Sequence, residues 1–254
     1  MPTSNRLYRN KLYRTRYAIN DKITINVPTI GDLLDNPDDI DTDDMSSEMR
    51  YNAIVSVWTS MPIDYMVELD DIGVDFTEIT DYDLFHILFP ILQSNDTSMI
   101  FGDIDFSKFV RGVNDKNGEI VLIDTENDIV IDRAIYHSIS ARLCDINNIT
   151  KNNKRPAGKE TKRFMLERAR IKRNRRKRTE GTSPLETIVT AMVCTPEFKY
   201  DYETVKSLTI YQFNESARQI IKKVDWDKRM IGVYAGTVNV KELKDSDLNW
   251  LTHK

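Results

Sequence analysis

The chain has 254 residues, of which 40% are hydrophobic and 30% are charged, and its formal net charge is −4. This length allows one large domain or two smaller ones, and the composition excludes collagen-like and wholly disordered proteins. No run of about 18 apolar residues occurs, so we expect no membrane span, and two cysteines without a disulfide framework indicate a reducing compartment.

Residues 1–146 are predicted to form an acidic α+β region. Apolar residues alternate on both sides of Asn20-Asp21, which predicts a β-hairpin. Helical spacing and capping residues then predict three helices, which run from Ser46 or Ser47 to about Met61, from Pro62 to Gly73, and from Thr80 to about Gln93.

A small antiparallel β insertion is predicted over residues 98–131. Apolar residues alternate with polar ones there, and turn residues occur at 115–118 and 125–127. Asp132 is then predicted to cap a helix that runs to about Ile146. The region 1–146 is therefore expected to contain both strands and helices.

Residues 147–182 are predicted to be a basic linker and helix, and residues 183–254 a helical C-terminal region. The linker covers 147–159, and the helix begins at about Glu160. Ser183, Pro184 and Glu186 are typical of a helix start with a capping box. The later helices are predicted at 184–194, about 202–207, 209–223 and 225–234. The predicted fold class is α+β, mainly α-helical.

The most pointed feature is the segment 168–178, RARIKRNRRKR, in which eight of eleven residues are Lys or Arg. Residues 146–180 carry 14 basic and three acidic residues, whereas residues 29–145 carry six basic and 26 acidic ones. This segregation of charge favours two hypotheses: that the basic segment contacts an acidic protein surface, or that it binds nucleic acid. The candidate partner-binding residues are Arg168, Arg170, Lys172, Arg173, Arg175, Arg176, Lys177 and Arg178.

The sequence contains no pattern for catalysis, metal binding or cofactor binding. The acidic segment that begins at Asp39 has Asp44 and Arg50 where a calcium-binding EF-hand loop needs Gly and Glu. The three histidines and two cysteines lack zinc-ligand spacing, and no phosphate-binding glycine loop occurs. We therefore expect a protein that is not an enzyme and has no cofactor.

Several stretches resemble a family encoded in the structural gene region of tailed phages that infect Gram-positive bacteria. The resemblance rests on INDKITINVPTIGDLLD and DDIGVDFTEITDYDLF near the N-terminus, and on SPLETIVTAMVCTPEFKYDYETVKSLTIYQFNESARQI and MIGVYAGTVNVKELKDSDLNWL near the C-terminus. It implies a role in phage morphogenesis, and the gene neighbourhood of the family suggests a tail assembly chaperone that coats the tape-measure protein.

On this basis the expected function is tail morphogenesis without catalysis, by binding of the tape-measure protein or neighbouring virion subunits. The alternatives are a structural component of the tail, neck or baseplate, and a nucleic-acid-binding phage protein that uses the basic helix 162–178. The protein itself is a candidate homo-oligomer. We expect it in the host bacterial cytoplasm during assembly, with the virion as the alternative location.

Overall fold

The computed structural model describes residues 11–34, 45–115, 117–176, 183–244 and 248–251. Within these ranges the chain is a mainly helical α+β protein, which confirms the predicted fold class. The strands are β1 (Arg16–Ala18), β2 (Thr24–Asn26), β3 (Val110–Val113), β4 (Ile120–Asp124) and β5 (Ile129–Ile131). The helices are α1 (Ile30–Leu34), α2 (Ser47–Thr59), α3 (Met66–Asp71), α4 (Asp81–Leu88), α5 (Pro90–Ser94), α6 (Ser98–Phe101), α7 (Arg133–Asn147), α8 (Lys159–Arg176), α9 (Pro184–Val193) and α10 (Ile210–Tyr234).

The predicted N-terminal hairpin is confirmed. Strands β1 and β2 pair antiparallel with Tyr17 opposite Ile25, and both of these side chains are buried. The side-chain oxygen of Asn20 accepts hydrogen bonds from the backbone N–H groups of Lys22 (2.9 Å) and Ile23 (2.7 Å). Asparagine favours turns because its side chain can replace a backbone acceptor in this way.

The predicted β insertion is partly wrong. Strands β3, β4 and β5 form an antiparallel sheet in that order, but residues 98–108 contain α6 and a 3₁₀ turn at Phe106–Lys108 instead of a strand. Asp105 accepts a hydrogen bond from the N–H of Ser107 at 3.0 Å, and Gly102 ends α6 with a φ of 63°. These local hydrogen bonds and the left-handed glycine stabilise turns where the alternation of apolar and polar residues had predicted a strand.

Two predicted helix boundaries also differ from the structure. The helix after Thr80 divides into α4 and α5 at Pro90, because proline has no N–H to donate to the preceding turn. In contrast, the predicted helices 209–223 and 225–234 are one continuous helix, α10. An ion pair at 2.6 Å joins Lys223 to Asp227 across the predicted break, another joins Asp225 to Arg229 just after it, and no Gly or Pro interrupts the helix there.

One aromatic core lies under most of the elements. Trp58 of α2 is fully buried, and its ring centroid lies 4.5 Å from that of Phe85 and 5.5 Å from that of Phe101. The same cluster of buried side chains includes Met192 of α9 and Phe213 of α10. The division of the chain at 146 and 183 stays a prediction, but residues from both sides of it share this core.

A buried carboxylate connects α9 to α2. Ser183 caps α9 as predicted and accepts from the N–H of Glu186 at 2.9 Å. The carboxylate of Glu48, on α2, is the second acceptor at this helix start: it accepts from the N–H of Leu185 at 2.9 Å and from the hydroxyl of Ser183. A carboxylate at a helix N-terminus is favourable because it pairs with unsatisfied N–H groups and with the helix dipole.

The segment between α7 and α8 contains no helix or strand, in agreement with the predicted linker. Asn148 ends α7 in the left-handed conformation with a φ of 53°. Lys151 then forms an ion pair with Asp81 at 2.9 Å, which fixes this part of the segment to the start of α4. The linker therefore positions the beginning of α8 near α3 and α4.

Candidate protein-binding surface on the basic helix

The basic segment forms a regular helix. Helix α8 has 18 residues, so it is about 27 Å long. It contains no Gly or Pro, and most of its residues are Arg, Lys, Glu, Leu, Met and Ala, which favour helices. Glu160 in the first turn adds a negative charge where the helix dipole favours one. The helix can therefore present different side chains on opposite faces.

One face of α8 packs on the protein. Met165 and Leu166 lie against a small second core whose buried members are Ile63, Leu69, Phe76 and Leu84. This contact joins α8 to α3, which carries Leu69. Positions 166, 170 and 173 recur every three or four residues, so they lie on the same side of the helix.

Two of the candidate partner-binding residues contact the protein's own carboxylates. Arg170 donates hydrogen bonds to Asp70 and Asp71, both at 2.7 Å. Arg173 donates to Asp71 at 3.0 Å and lies 3.6 Å from Glu68. The bonds from Arg170, and then those from Arg173, lower the pKa of Asp71 below its ordinary value. Arg170 and Arg173 thus neutralise charge within the chain.

A third cation of α8, Lys162, extends this contact toward the start of the helix. Lys162 pairs with Asp75, and the bond from Lys162, together with those from Thr77, lowers the pKa of Asp75 to about 2. The basic residues on the packed face of α8 therefore lie on an acidic part of the same protein.

The opposite face of α8 exposes apolar side chains between cations. Phe164 is 57% exposed and Ile171 is 48% exposed. The guanidinium carbon of Arg168 lies 5.6 Å from the centroid of the Phe164 ring, a cation–π contact. Positions 164, 168, 171 and 175 form one stripe along the helix.

An open groove of about 680 Å³ runs along α8 between this face and Met66 of α3. The side chains that line it are Met66, Phe164, Met165, Arg168, Ala169, Ile171, Lys172 and Arg175. Three of these eight are cationic, and the lining contains no acidic side chain. Among the described residues, no carboxylate lies within ion-pair distance of Arg168, Lys172 or Arg175. The groove therefore has an apolar floor and a positively charged rim.

The structure separates the eight candidate residues into three groups. Arg170 and Arg173 lie on the packed face, whereas Arg168, Lys172 and Arg175 line the groove. Arg176 is the last residue of α8, and Lys177 and Arg178 lie outside the described residues. Sequence reasoning missed Phe164, Ile171 and Met66 as parts of the surface. Helical spacing places positions 164 and 171 on the side opposite to 166 and 173, but it does not say which of the two sides is packed.

The C-terminal helices expose a second set of apolar side chains. On these helices Met192 and Phe213 are in the core, and Tyr211, Trp226 and Met230 are partly buried. Ile188 is exposed, as are Ile231 and Tyr234 near the end of α10. The indole N–H of Trp226 donates to the carbonyl of Leu248 at 3.1 Å, so the chain after α10 folds back onto the helix.

Neither a cluster of metal-binding side chains nor a membrane-spanning helix occurs in the described ranges of the chain. No group of three or more His, Cys, Asp or Glu side chains there is arranged to hold a metal ion. None of the helices in those ranges combines the length and the apolar character that crossing a bilayer requires.

A match to a protein family covers the C-terminal third of the chain. Residues 176–254 match the model of the YomV second domain, a phage-associated family. The match begins at the last residue of α8 and includes α9 and α10. Among curated proteins and solved structures, no match to the chain is found. The family match supports the expected phage origin, and it carries no statement about tail assembly or the tape-measure protein.

Proposed function

We propose that this chain is a non-enzymatic phage protein that acts in tail morphogenesis as an assembly chaperone and binds the tape-measure protein. The observation that carries the proposal is the solvent-exposed apolar floor of the groove on α8, between cationic side chains. A chaperone of this kind needs an apolar surface that receives a client segment and charge that keeps the complex in solution.

Two further observations support the proposal. The phage-associated match over residues 176–254 agrees with the resemblance of the sequence to proteins of tailed phages. Exposed Ile188, Ile231 and Tyr234 on α9 and α10 add apolar surface beyond the groove. A long helical client could contact several such surfaces at once, which increases its affinity without any single strong contact.

The test compares two preparations from one infection. The protein is pulled down from infected cells, and purified virions are examined by mass spectrometry. A chaperone is expected to copurify with the tape-measure protein from cells and to be absent from purified virions. Stoichiometric presence in virions would contradict the chaperone role and support a structural component of the tail, neck or baseplate. Salt-sensitive copurification with phage DNA alone would instead support nucleic-acid binding.

A further inference from the structure

We infer that the groove on α8 binds an amphipathic helix whose apolar stripe is bordered by carboxylates, supplied by another protein chain. The inference deepens the proposed function, since it names the chemistry of the client segment that the chaperone receives. It rests on two exposed apolar side chains of α8, Phe164 and Ile171, and on the three cationic side chains that border them in the groove.

The floor has the spacing of a helix-binding surface. Phe164 and Ile171 are seven residues apart on α8, so about 10 Å separates them along the helix axis. An amphipathic helix that lies along α8 repeats its apolar residues with the same period. Met66 of α3 borders the groove at the side, and its unbranched thioether side chain can adapt to different apolar residues.

The rim determines the charge of the ligand. Arg168, Lys172 and Arg175 border the floor, and all three side chains are exposed. Arginine and lysine can cover apolar surface with their methylene groups while the charged ends stay in water. Carboxylates on a bound helix would pair with these ends, and the two arginines can bind them in bidentate geometry.

The acidic residues of α3 do not compete for this rim. Asp70 and Asp71 are paired with Arg170, and Asp71 and Glu68 lie next to Arg173, on the packed face of α8. A DNA duplex is much more densely charged than a helix with a few carboxylates, so these acidic residues beside the groove disfavour the duplex more. The apolar floor between the cations also offers no hydrogen-bond donor to a phosphate backbone, whereas the apolar stripe of a helix can pack on it. These two observations favour an acidic helix of a protein over nucleic acid.

The experiment measures binding of purified full-length protein to three probes by fluorescence anisotropy. The first probe is a labelled synthetic peptide helix with leucine at heptad spacing and glutamate on both flanks. The second is the same peptide with glutamine in place of glutamate, and the third is a mixed-sequence DNA duplex. We expect the glutamate peptide to bind at least about tenfold more tightly than the glutamine peptide, because three cations border the groove.

Charge-reversal variants locate the binding site on α8. Lys172→Glu is expected to weaken binding of the glutamate peptide about tenfold or more. Arg163→Glu is the matched control: Arg163 is on the same helix, is exposed outside the groove and pairs with Glu160 at 3.3 Å. It changes the net charge by the same amount, so binding is expected to stay within about twofold of the wild type.

Apolar variants test the floor in the same way. Phe164→Ser is expected to weaken binding about tenfold, whereas Val113→Ser, at an apolar residue that is 64% exposed on β3, is expected to leave it unchanged. Circular dichroism and thermal unfolding of every variant show whether α8 and the core remain folded, so that a loss of binding can be assigned to the groove.

Four results would overturn the inference. These are equal binding of the glutamate and glutamine peptides, equal effects of Lys172→Glu and Arg163→Glu, binding of the DNA duplex in place of the peptides, and a dimer of the protein that Lys172→Glu dissociates. The last result would assign the groove to a second copy of the chain. If the peptide binds as expected but the tape-measure protein does not copurify from cells, the inference stands and the proposed chaperone role fails. The converse result would retain the chaperone role and remove the acidic-helix site.

Discussion

Replacement of Glu48 by alanine tests how α9 is held against the rest of the protein. Glu48 is only 5% exposed, and its carboxylate accepts hydrogen bonds from the N–H of Leu185 at 2.9 Å and from the hydroxyl of Ser183. The alanine variant would leave the Leu185 N–H without its acceptor in a partly buried position.

The size of the effect follows from these two hydrogen bonds. A hydrogen bond to a charged group contributes about 1.5–3 kcal/mol, and loss of a helix N-cap typically costs about 1 kcal/mol. Ser183 would still cap the N–H of Glu186, so part of the cap remains in the variant. We therefore expect Glu48→Ala to lower the free energy of unfolding by about 2–3 kcal/mol.

Urea denaturation followed by circular dichroism measures this difference. Glu186→Ala is the matched control, because Glu186 is an exposed acidic residue in the first turn of the same helix. It should lower the free energy of unfolding by only about 0.5 kcal/mol through a weaker interaction with the helix dipole. If the two variants unfold at the same urea concentration, Glu48 does not anchor α9 and the reasoning is wrong.

His86 is buried, and burial lowers its pKa. As the pH drops below about 6.5, the unfolded chain therefore takes up a proton at His86 before the native protein does, and the free energy of unfolding falls. His86→Leu should flatten this part of the stability curve measured by urea denaturation; an unchanged slope would assign the pH dependence to another group. Asp71→Asn removes one charge that α8 pairs with, so its lower melting temperature should approach that of the wild type at high salt, and a salt-independent difference would contradict this. Gly232→Ala places a Cβ 2.8 Å from a methyl group of Val238 and should loosen the turn after α10, seen as faster proteolysis there. Gly158→Ala, where a Cβ would meet no atom within 4 Å, is its control, and equal proteolysis of the two would count against the close contact.

The candidate surface could be predicted from sequence only in part. The density of Lys and Arg over 168–178 indicates a charged helix, and the spacing of 166, 170 and 173 indicates that these residues share a face. The sequence does not say which face is packed, because that depends on Asp70 and Asp71, about a hundred residues earlier in the chain. The outward position of Phe164 and Ile171 follows from that contact.

Local hydrogen bonds explain most of what the sequence determined by itself. Asn20 in the hairpin turn, and Thr80, Ser183 and Thr209 at helix starts, each bond to backbone groups two or three residues away, so a few neighbouring residues suffice to predict these elements. The mainly helical α+β class and the hairpin follow from such signals together with apolar periodicity.

Tertiary structure decided the features that depend on residues far apart in the chain. Glu48 completes the cap of α9 from a distance of 137 residues, where local spacing had suggested Glu186. The residues of α6 and of the turn after it bury Ile100, Phe101 and Phe106 together in the core, which an alternating strand cannot do. The division of α8 into a packed acidic contact and an open cationic groove has the same cause: one helix sequence can present either face, and the long-range contact that satisfies its charges selects which one faces solvent.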